Sequence, residues 1–251
     1  MTPITSAPFY LDWTFWATAI AALALILSQL PPVHELLKRA KLDLEVYSRI
    51  AVTHKVGNPN LQLHLIISNI GGRSIKIKNA IVSIKRDGKH IVDMPAENYL
   101  QNPDDKSTIL FTRFSMGVKD EWAHIVNFLN RYSRQDEKAY RIAESNLKDN
   151  ISGKRQLPEN KDKLVEADPG FISPFNNMFD SRFIWKPGEY ELQISIEANP
   201  SKASVKKTYR WTLFESDSGE LAKYGEGYKY GDGIYWNSDR YPSVVVQIVE
   251  A

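Results

Sequence analysis

Apolar residues recur at every second position over several stretches of this chain. A period of two is the pattern of a β-strand that buries one of its faces. In the first such stretch, Leu42, Leu44 and Val46 alternate with polar neighbours. The alternating stretches cover residues 42–47, 61–68, 75–86, 189–198 and 202–214. The pattern therefore predicts a mainly β body.

Local signals between these stretches indicate where the strands turn. Gly, Asn and Pro at residues 57–60 and Asp87-Gly88 are turn sequences, and the second pair is typical of a tight hairpin. The apolar positions change parity near Asn79 and Ala80, as in a β-bulge or a strand that passes from one sheet to another. A last strand is predicted over residues 242–249.

Residues 95–180 interrupt the alternation. Apolar side chains there recur at spacings of three and four, which predicts a helix through Trp122 and Leu129 and a weaker one over residues 139–147. We interpret this helical insertion, near residues 118–149, as cover for a sheet edge, and a partner-binding helix pair is the alternative. The phenylalanine-rich stretch that follows is predicted to be a loop, either a core plug or an exposed contact patch.

Three segments carry a resemblance to a known group of proteins. They read IISNIGGRSIKIKNAIVSI, WKPGEYELQISIE and KKTYRWTLFE. Their order of strands and turns resembles the immunoglobulin-like domains of uncharacterised single-pass bacterial membrane proteins, over roughly half of the chain. The resemblance implies an immunoglobulin-like antiparallel β-sandwich with a short helical insertion over residues 42–251, preceded by one N-terminal transmembrane helix. It implies no active-site residue.

An uncharged run at residues 13–33 is the basis for the predicted membrane anchor. Twenty-one residues of helix are long enough for a hydrocarbon core of roughly 30 Å. Trp13 and Trp16 stand at one end of the run, where amphipathic rings favour the headgroup region. Residues 1–41 are therefore predicted to form a transmembrane anchor with a basic juxtamembrane segment.

Basic residues beyond this run predict its orientation. Lys38, Arg39 and Lys41 follow it, whereas residues 1–12 contain no Lys or Arg. Because basic flanks stay on the cytoplasmic side, we expect an inner-membrane protein whose C-terminal domain is cytoplasmic. The chain contains no cysteine, which is compatible with a cytoplasmic domain.

Catalytic motifs are missing from the sequence. It contains no cysteine nucleophile, no nucleophile elbow, no zinc-protease motif and no phosphate-binding loop. The five histidines are scattered without metal-ligand spacing, and a net charge of +2 argues against binding nucleic acid over a whole face. We therefore expect no enzyme activity, no cofactor, no bound metal and no nucleic-acid partner.

The stretch GEGYKYGDGIYW, at residues 225–236, combines glycines with aromatic residues. A phosphate-binding loop would need a preceding strand and a following helix, and a sugar platform suits an extracellular domain better. We therefore favour tight turns with aromatic packing. The candidate partner-binding residues are Phe175, Phe179, Tyr228, Tyr230, Tyr235 and Trp236.

The predicted function is binding rather than catalysis. We expect the β-domain to recruit a partner protein to the inner membrane, by analogy with bacterial defence systems. The alternative is an effector that senses a signal, forms homo-oligomers through its alanine-rich transmembrane helix and disrupts the bilayer.

Overall fold

The computed structural model describes residues 13–29, 39–102, 104–105, 107–237 and 242–251. Strands dominate this part of the chain. The strands are β1 (Leu42–Lys55), β2 (Asn58–Asn69), β3 (Ile75–Arg86), β4 (Lys89–Leu100), β5 (Ile109–Leu110), β6 (Phe114–Met116), β7 (Glu121–Leu129), β8 (Gly188–Asn199), β9 (Val205–Leu213), β10 (Ser243–Gln247) and β11 (Val249–Glu250). The α-helices are α1 (Trp13–Gln29), α2 (Arg134–Arg155), α3 (Pro169–Arg182) and α4 (Glu215–Ala222).

All of these strands belong to one sheet. Its order is β10-β1-β2-β7-β4-β3-β8-β9-β11, and the short strands β5 and β6 pair with β4 and β3. The C-terminal segment pairs with β1 through β10 and with β9 through β11. The two ends of the strand order therefore meet in one short stretch of chain, and the sheet nearly closes into a barrel.

The predicted immunoglobulin-like sandwich is therefore wrong, because the strands do not form two separate sheets. Strand β4 shows why they stay connected. Its first part pairs with β3 up to Pro95, and its second part pairs with β7 from Ala96 onward. A register shift between Ala96 and Asn98 marks the bend. One strand thus joins the two walls on one side, as the C-terminal segment does on the other.

Two local predictions in the strands are confirmed. The pairing of β3 with β8 shifts register between Ile77 and Asn79, at the predicted bulge. Asp87 and Gly88 have φ values of 50° and 77°, the positive pair that a two-residue hairpin turn requires. The other turn lies one position earlier than predicted, at Val56 and Gly57, so that Asn58 already belongs to β2.

The barrel interior is filled by the inward residues of the long strands. Leu63 and Leu65 of β2 and Ile194 of β8 are among the fully buried side chains. Each side chain of this size contributes about 1.5–3 kcal/mol when it leaves water. The alternating pattern of the sequence therefore identifies this core, whichever way the sheet closes.

A second, smaller core lies between the helices and the C-terminal glycine-rich stretch. Helix α2 buries Tyr140, Ala143, Leu147 and Ile151, spaced by three and four residues. Its N-cap is Ser133, whose side chain accepts a hydrogen bond from the backbone N–H of Asp136. The second predicted helix is thus confirmed, and it is longer than its apolar stripe.

The first predicted helix is wrong, because residues 121–129 form strand β7. Val126 and Phe128 of β7 point into the barrel core. Ile125 and Leu129 lie on the opposite face of the strand. Apolar residues on both faces imitate the spacing of a helix, and pairing with β2 and β4 decides the structure.

The phenylalanine-rich stretch is helix α3 rather than the predicted loop. Phe175 is fully buried in the second core, and Phe179 is half-buried between the two cores. Of the two alternatives, the core plug is therefore correct for Phe175. The turn of the β1–β2 hairpin rests against α3, since a Cβ added to Gly57 would lie 2.7 Å from the Cα of Phe179.

The prediction of a transmembrane helix is wrong. In the described part of the chain, helix α1 runs over Trp13–Gln29. Among the helices of the described residues, none has both the length and the apolar character needed to cross a membrane. The predicted run continued to residue 33, and residues 30–38, with Lys38, lie outside the described part. The single-pass inner-membrane prediction thus loses its support.

Four of the residues predicted to mark the membrane interface belong to the described part of the chain. Trp13 and Trp16 of α1 are exposed, at 85% and 51%. Arg39 and Lys41 lie beside the β2–β3 turn, where the backbone N–H of Gly72 donates to the carbonyl of Arg39 at 3.0 Å. This contact leads the chain into β1.

Candidate functional site

The outer face of one barrel wall contains a cleft of about 510 Å³. Its floor is formed by β1, β2, β7 and β4, whose outward side chains alternate with the core residues. The polar lining residues are Thr53, Asn60, Gln62, Asn98, Thr108, Asn127 and Ser243. Ala51, Leu100 and Leu129 add apolar surface. The cleft is therefore dominated by uncharged groups that both donate and accept hydrogen bonds.

Three of the amides form a row across three strands. Gln62, Asn127 and Asn98 lie directly opposite one another in the pairings of β2 with β7 and of β7 with β4. Gln62 Nε2 donates to Asn127 Oδ1 at 2.9 Å, and Asn127 Nδ2 donates to Asn98 Oδ1 at 2.6 Å. The row is thus fixed in one direction, with the Gln62 carbonyl at one end and the Asn98 amide nitrogen at the other.

Asn60 is the exceptional amide of the cleft. The residue is only 7% exposed, and its side-chain amide makes no hydrogen bond with the described residues. The amide oxygen and nitrogen still reach solvent at the surface of the cleft. Asn60 lies two positions before Gln62 on the same face of β2 and lines the cleft. It therefore offers a donor and an acceptor to a bound molecule.

A second cleft of about 410 Å³ continues from the first and shares Asn60 and Leu129 with it. It runs past the end of the β1–β2 hairpin to the first turns of α2. Asn130 Nδ2 donates to Asn58 Oδ1 at 3.0 Å, so a further amide pair fixes this part of the wall. The two clefts form one groove, which we call the amide groove.

The first cleft contains few groups that titrate near neutral pH. Among the described residues that line it, none is a carboxylate, histidine, lysine or cysteine. Elsewhere, Ser83 and His90 both hydrogen-bond to Asp93, and these bonds lower the pKa of that carboxyl. A hydrolytic triad needs the histidine between the serine and the acid, whereas here the acid is in the middle.

The described residues contain no group of three or more His, Asp or Glu side chains that could hold a metal ion. The buried histidine of the barrel, His54, has structural contacts instead. Its Nε2 donates to the carbonyl of Leu221 at 2.9 Å, and its Nδ1 accepts from the N–H of Gly57 at 3.1 Å. Burial lowers the pKa of His54, so the ring is neutral in the folded protein.

The predicted partner-binding residues do not line the amide groove. Phe175 and Tyr228 are buried in the second core, with their ring centroids 6.4 Å apart. The buried position of these two rings prevents contact with a partner unless the helices unpack. Phe179 is half-buried against His54, at 5.4 Å between ring centroids.

The remaining three candidates belong to the glycine-rich stretch. Tyr230 donates to Glu166 Oε1 at 2.7 Å, and Tyr235 is half-buried at the second core. Trp236 is 51% exposed. Gly231 has φ 79°, and a Cβ there would lie 2.2 Å from the Tyr235 ring, so this glycine permits the turn and the aromatic packing that we favoured.

Sequence reasoning missed the amide groove, although one signal was present. Asn58, Asn60 and Gln62 occupy alternate positions at the start of β2 and share its outer face. In the sequence, Asn58 and Asn60 lie within the turn predicted at residues 57–60. Asn98 and Asn127 come from distant parts of the chain, and only the pairing of β7 with β4 brings them together.

No protein-family model matches this chain, and no curated protein matches it. The resemblance to single-pass membrane proteins stays a prediction. Any proposal for the function therefore rests on the geometry of the amide groove.

Proposed function

We propose that this chain is a binding protein that holds an extended peptide segment of a partner protein in the amide groove. The observation that carries the proposal is Asn60, whose side-chain amide lines the cleft and has no hydrogen-bond partner among the described residues, next to the fixed row of Gln62, Asn127 and Asn98. Binding of a protein partner agrees with the function expected from the sequence. Recruitment to a membrane is not part of the proposal.

Amide side chains suit a peptide because each peptide group has one N–H donor and one C=O acceptor. An Asn side chain presents the complementary pair and can bind both at once. Within the described residues, the Asn60 amide, the Gln62 side-chain carbonyl and the Asn98 side-chain nitrogen make no hydrogen bond in this row, so they remain available to a peptide. A peptide along the groove would satisfy the amide that folding leaves unpaired.

The size of the groove and the lining of its first cleft support a peptide. The volumes of its two parts, about 510 and 410 Å³, lie within the usual range of about 300–1,000 Å³ for ligand sites. Sugar rings commonly stack on aromatic side chains; among the described residues, the lining of the first cleft contains none, and the second cleft contains Tyr132 and Tyr140. Ala51, Leu100 and Leu129 instead offer apolar surface for peptide side chains.

Selection from a displayed library of random peptides, followed by affinity measurement with the synthesised peptides, tests the proposal. Asn60→Ala should weaken binding about ten-fold, because it removes two hydrogen bonds of about 0.5–1.5 kcal/mol each. Asn127→Ala should also weaken binding, since it breaks the row that fixes Gln62 and Asn98.

Asn146→Ala is the matched control, because this asparagine is exposed on α2 and does not line the groove. It should bind as the unchanged protein does. Asn60→Ala should keep its free energy of unfolding within about 1 kcal/mol, because the amide reaches solvent and has no hydrogen bond within the protein to lose. Recovery of no peptides, or equal binding by Asn60→Ala, would refute the proposal.

A further inference from the structure

Three elements meet at the ring of His54, which is 1% exposed near the end of β1. Its Nε2 donates to the carbonyl of Leu221 in α4, and its Nδ1 accepts from the N–H of Gly57 in the β1–β2 turn. The rings of Phe179 and Phe183 pack edge-on against it, each at 5.4 Å between ring centroids. One side chain therefore connects the hairpin turn with α4 and with the end of α3.

Gly57 links this ring to helix α3. Its N–H is held by His54, and its Cα lies so close to the helix that an added Cβ would be 2.7 Å from the Cα of Phe179. The contact joins two backbones, so no side chain can rotate to absorb a movement of the turn. If the Gly57 N–H leaves the ring, the turn must therefore shift against α3.

The hydrogen bonds of His54 fit the neutral ring alone. With the proton on Nε2, both ring nitrogens have a partner. A second proton on Nδ1 would face the N–H of Gly57, so that two donors would meet and this N–H would lose its acceptor. Burial also opposes the charge and lowers the pKa of His54. The packed junction therefore excludes the charged ring.

No negative charge beside the ring compensates for a second proton. Among the described residues, His54 has no carboxylate as a hydrogen-bond or ion-pair partner. The ionisable residues that line the small cavity next to it are Lys55 of β1 and Tyr224 and Tyr228 after α4. The end of α3 presents two phenylalanine rings, and Lys186 covers one of them. Protonation of His54 is therefore coupled to opening of the junction.

We propose that His54 is an acid-sensitive switch, whose protonation releases the β1–β2 turn from α3 and exposes the second core while the barrel stays folded. The rings that become accessible are Phe175, Phe179 and Tyr228. The two cores make a local opening feasible, because Phe179 is the one hydrophobic residue of the described chain that packs against both. The switch does not depend on what the amide groove binds.

Native-state hydrogen exchange of the full chain, measured from about pH 5 to 8, tests the switch. The amides of residues 171–182 in α3 should open more readily than those of residues 189–198 in β8. After correction for the intrinsic exchange rate, the α3 opening constant should rise up to about ten-fold per pH unit below 6.5 and level off under the folded pKa. If α3 and β8 exchange together, the opening is global and the proposal is wrong.

An apolar dye gives a second readout. The fluorescence of anilinonaphthalene sulfonate should rise over the same pH range, because the dye binds the exposed rings of the second core. The circular dichroism of the strands should stay constant over this range. Absence of the fluorescence rise, or a rise that accompanies loss of the strand signal, would contradict a local opening.

His54→Gln removes the titrating group and keeps a side-chain N–H donor for the Leu221 carbonyl. Exchange in α3 of this variant should no longer depend on pH after the same correction. His64→Gln is the matched control, because His64 lies on the outer face of β2 between the buried Leu63 and Leu65. This control should respond to pH as the unchanged protein does. A pH response that persists in His54→Gln would refute the assignment.

The unchanged protein provides the same answer if His54→Gln does not fold. The carbon resonances of isotope-labelled histidine rings report the charge of each ring in solution. The His54 signal should titrate over the pH range in which the α3 amides lose protection. Opening of α3 while the His54 ring stays neutral would show that another group drives it.

Discussion

Replacement of Gly57 by alanine measures how firmly helix α3 is held against the barrel. Gly57 is the second residue of the β1–β2 turn, with φ 78°. A Cβ at this position would lie 2.7 Å from both the Cα and the carbonyl oxygen of Phe179. These are backbone atoms of a helix, so they cannot rotate away as a side chain does. Either the turn or α3 must move.

Gly88→Ala is the control that distinguishes the cost of the left-handed backbone from the cost of overpacking. It is the second residue of the β3–β4 turn and has φ 77°, but no atom lies within 4 Å of an added Cβ. Gly88→Ala should therefore lower the free energy of unfolding only through the left-handed backbone, by about 1–2 kcal/mol. Gly57→Ala should lose the same amount plus about 1–3 kcal/mol for overpacking against α3.

Urea unfolding of the full chain, followed by tryptophan fluorescence, provides the measurement. Trp185 and Trp211 are both buried in the barrel and report its unfolding. The two variants should keep the slope of the unchanged protein, so that the shift of the midpoint converts directly into a stability difference. Equal losses in Gly57→Ala and Gly88→Ala would show that α3 does not press on the hairpin turn, and the packing described for the second core would then be incorrect.

Two further predictions concern buried groups. Burial lowers the pKa of folded His54 below 6.5, so the unfolded chain gains a proton first as the pH falls. The His54 contribution to the free energy of unfolding should be constant above pH 6.5, fall by up to about 1.4 kcal/mol per pH unit below it, and level off under the folded pKa. If the free energy of unfolding of His54→Gln fell with pH as steeply as that of the unchanged protein, this prediction would be contradicted. Phe175→Ala should lose about 3–5 kcal/mol in urea unfolding, whereas Trp236→Ala should stay within about 0.5 kcal/mol. Comparable losses in both variants would contradict the burial of Phe175.

The strands could be predicted because each of them buries one face. The alternation in β1, β2, β8 and β9, and the change of parity at Asn79, record burial directly. The alternating pattern does not show how the sheet closes. Whether β4 bends from β3 to β7, or belongs to one sheet alone, depends on pairings between distant residues, and the inward pattern is the same in both cases.

Other wrong predictions came from sequence patterns that are compatible with more than one structure. The apolar residues of β7 lie on both faces, because Val126 points into the barrel and Leu129 lines the amide groove. This distribution resembles a helical stripe in the sequence. The apolar run at residues 13–33 predicted a membrane helix from composition alone, and no helix of the described residues has the length and apolar character to cross a membrane. The amide groove requires three strands to be in register, which periodicity does not reveal.

Closure of the barrel by β10 and β11 has a consequence for folding of the protein. Thr53 of β1 donates a hydrogen bond to Pro242 just before β10, across 189 positions of the chain. Contacts between residues this far apart form slowly, because a long loop must close first. During folding, β1 keeps one edge unpaired until β10 docks against it. An exposed edge of this kind invites pairing with another chain, so the protein is most prone to aggregate while β10 is undocked.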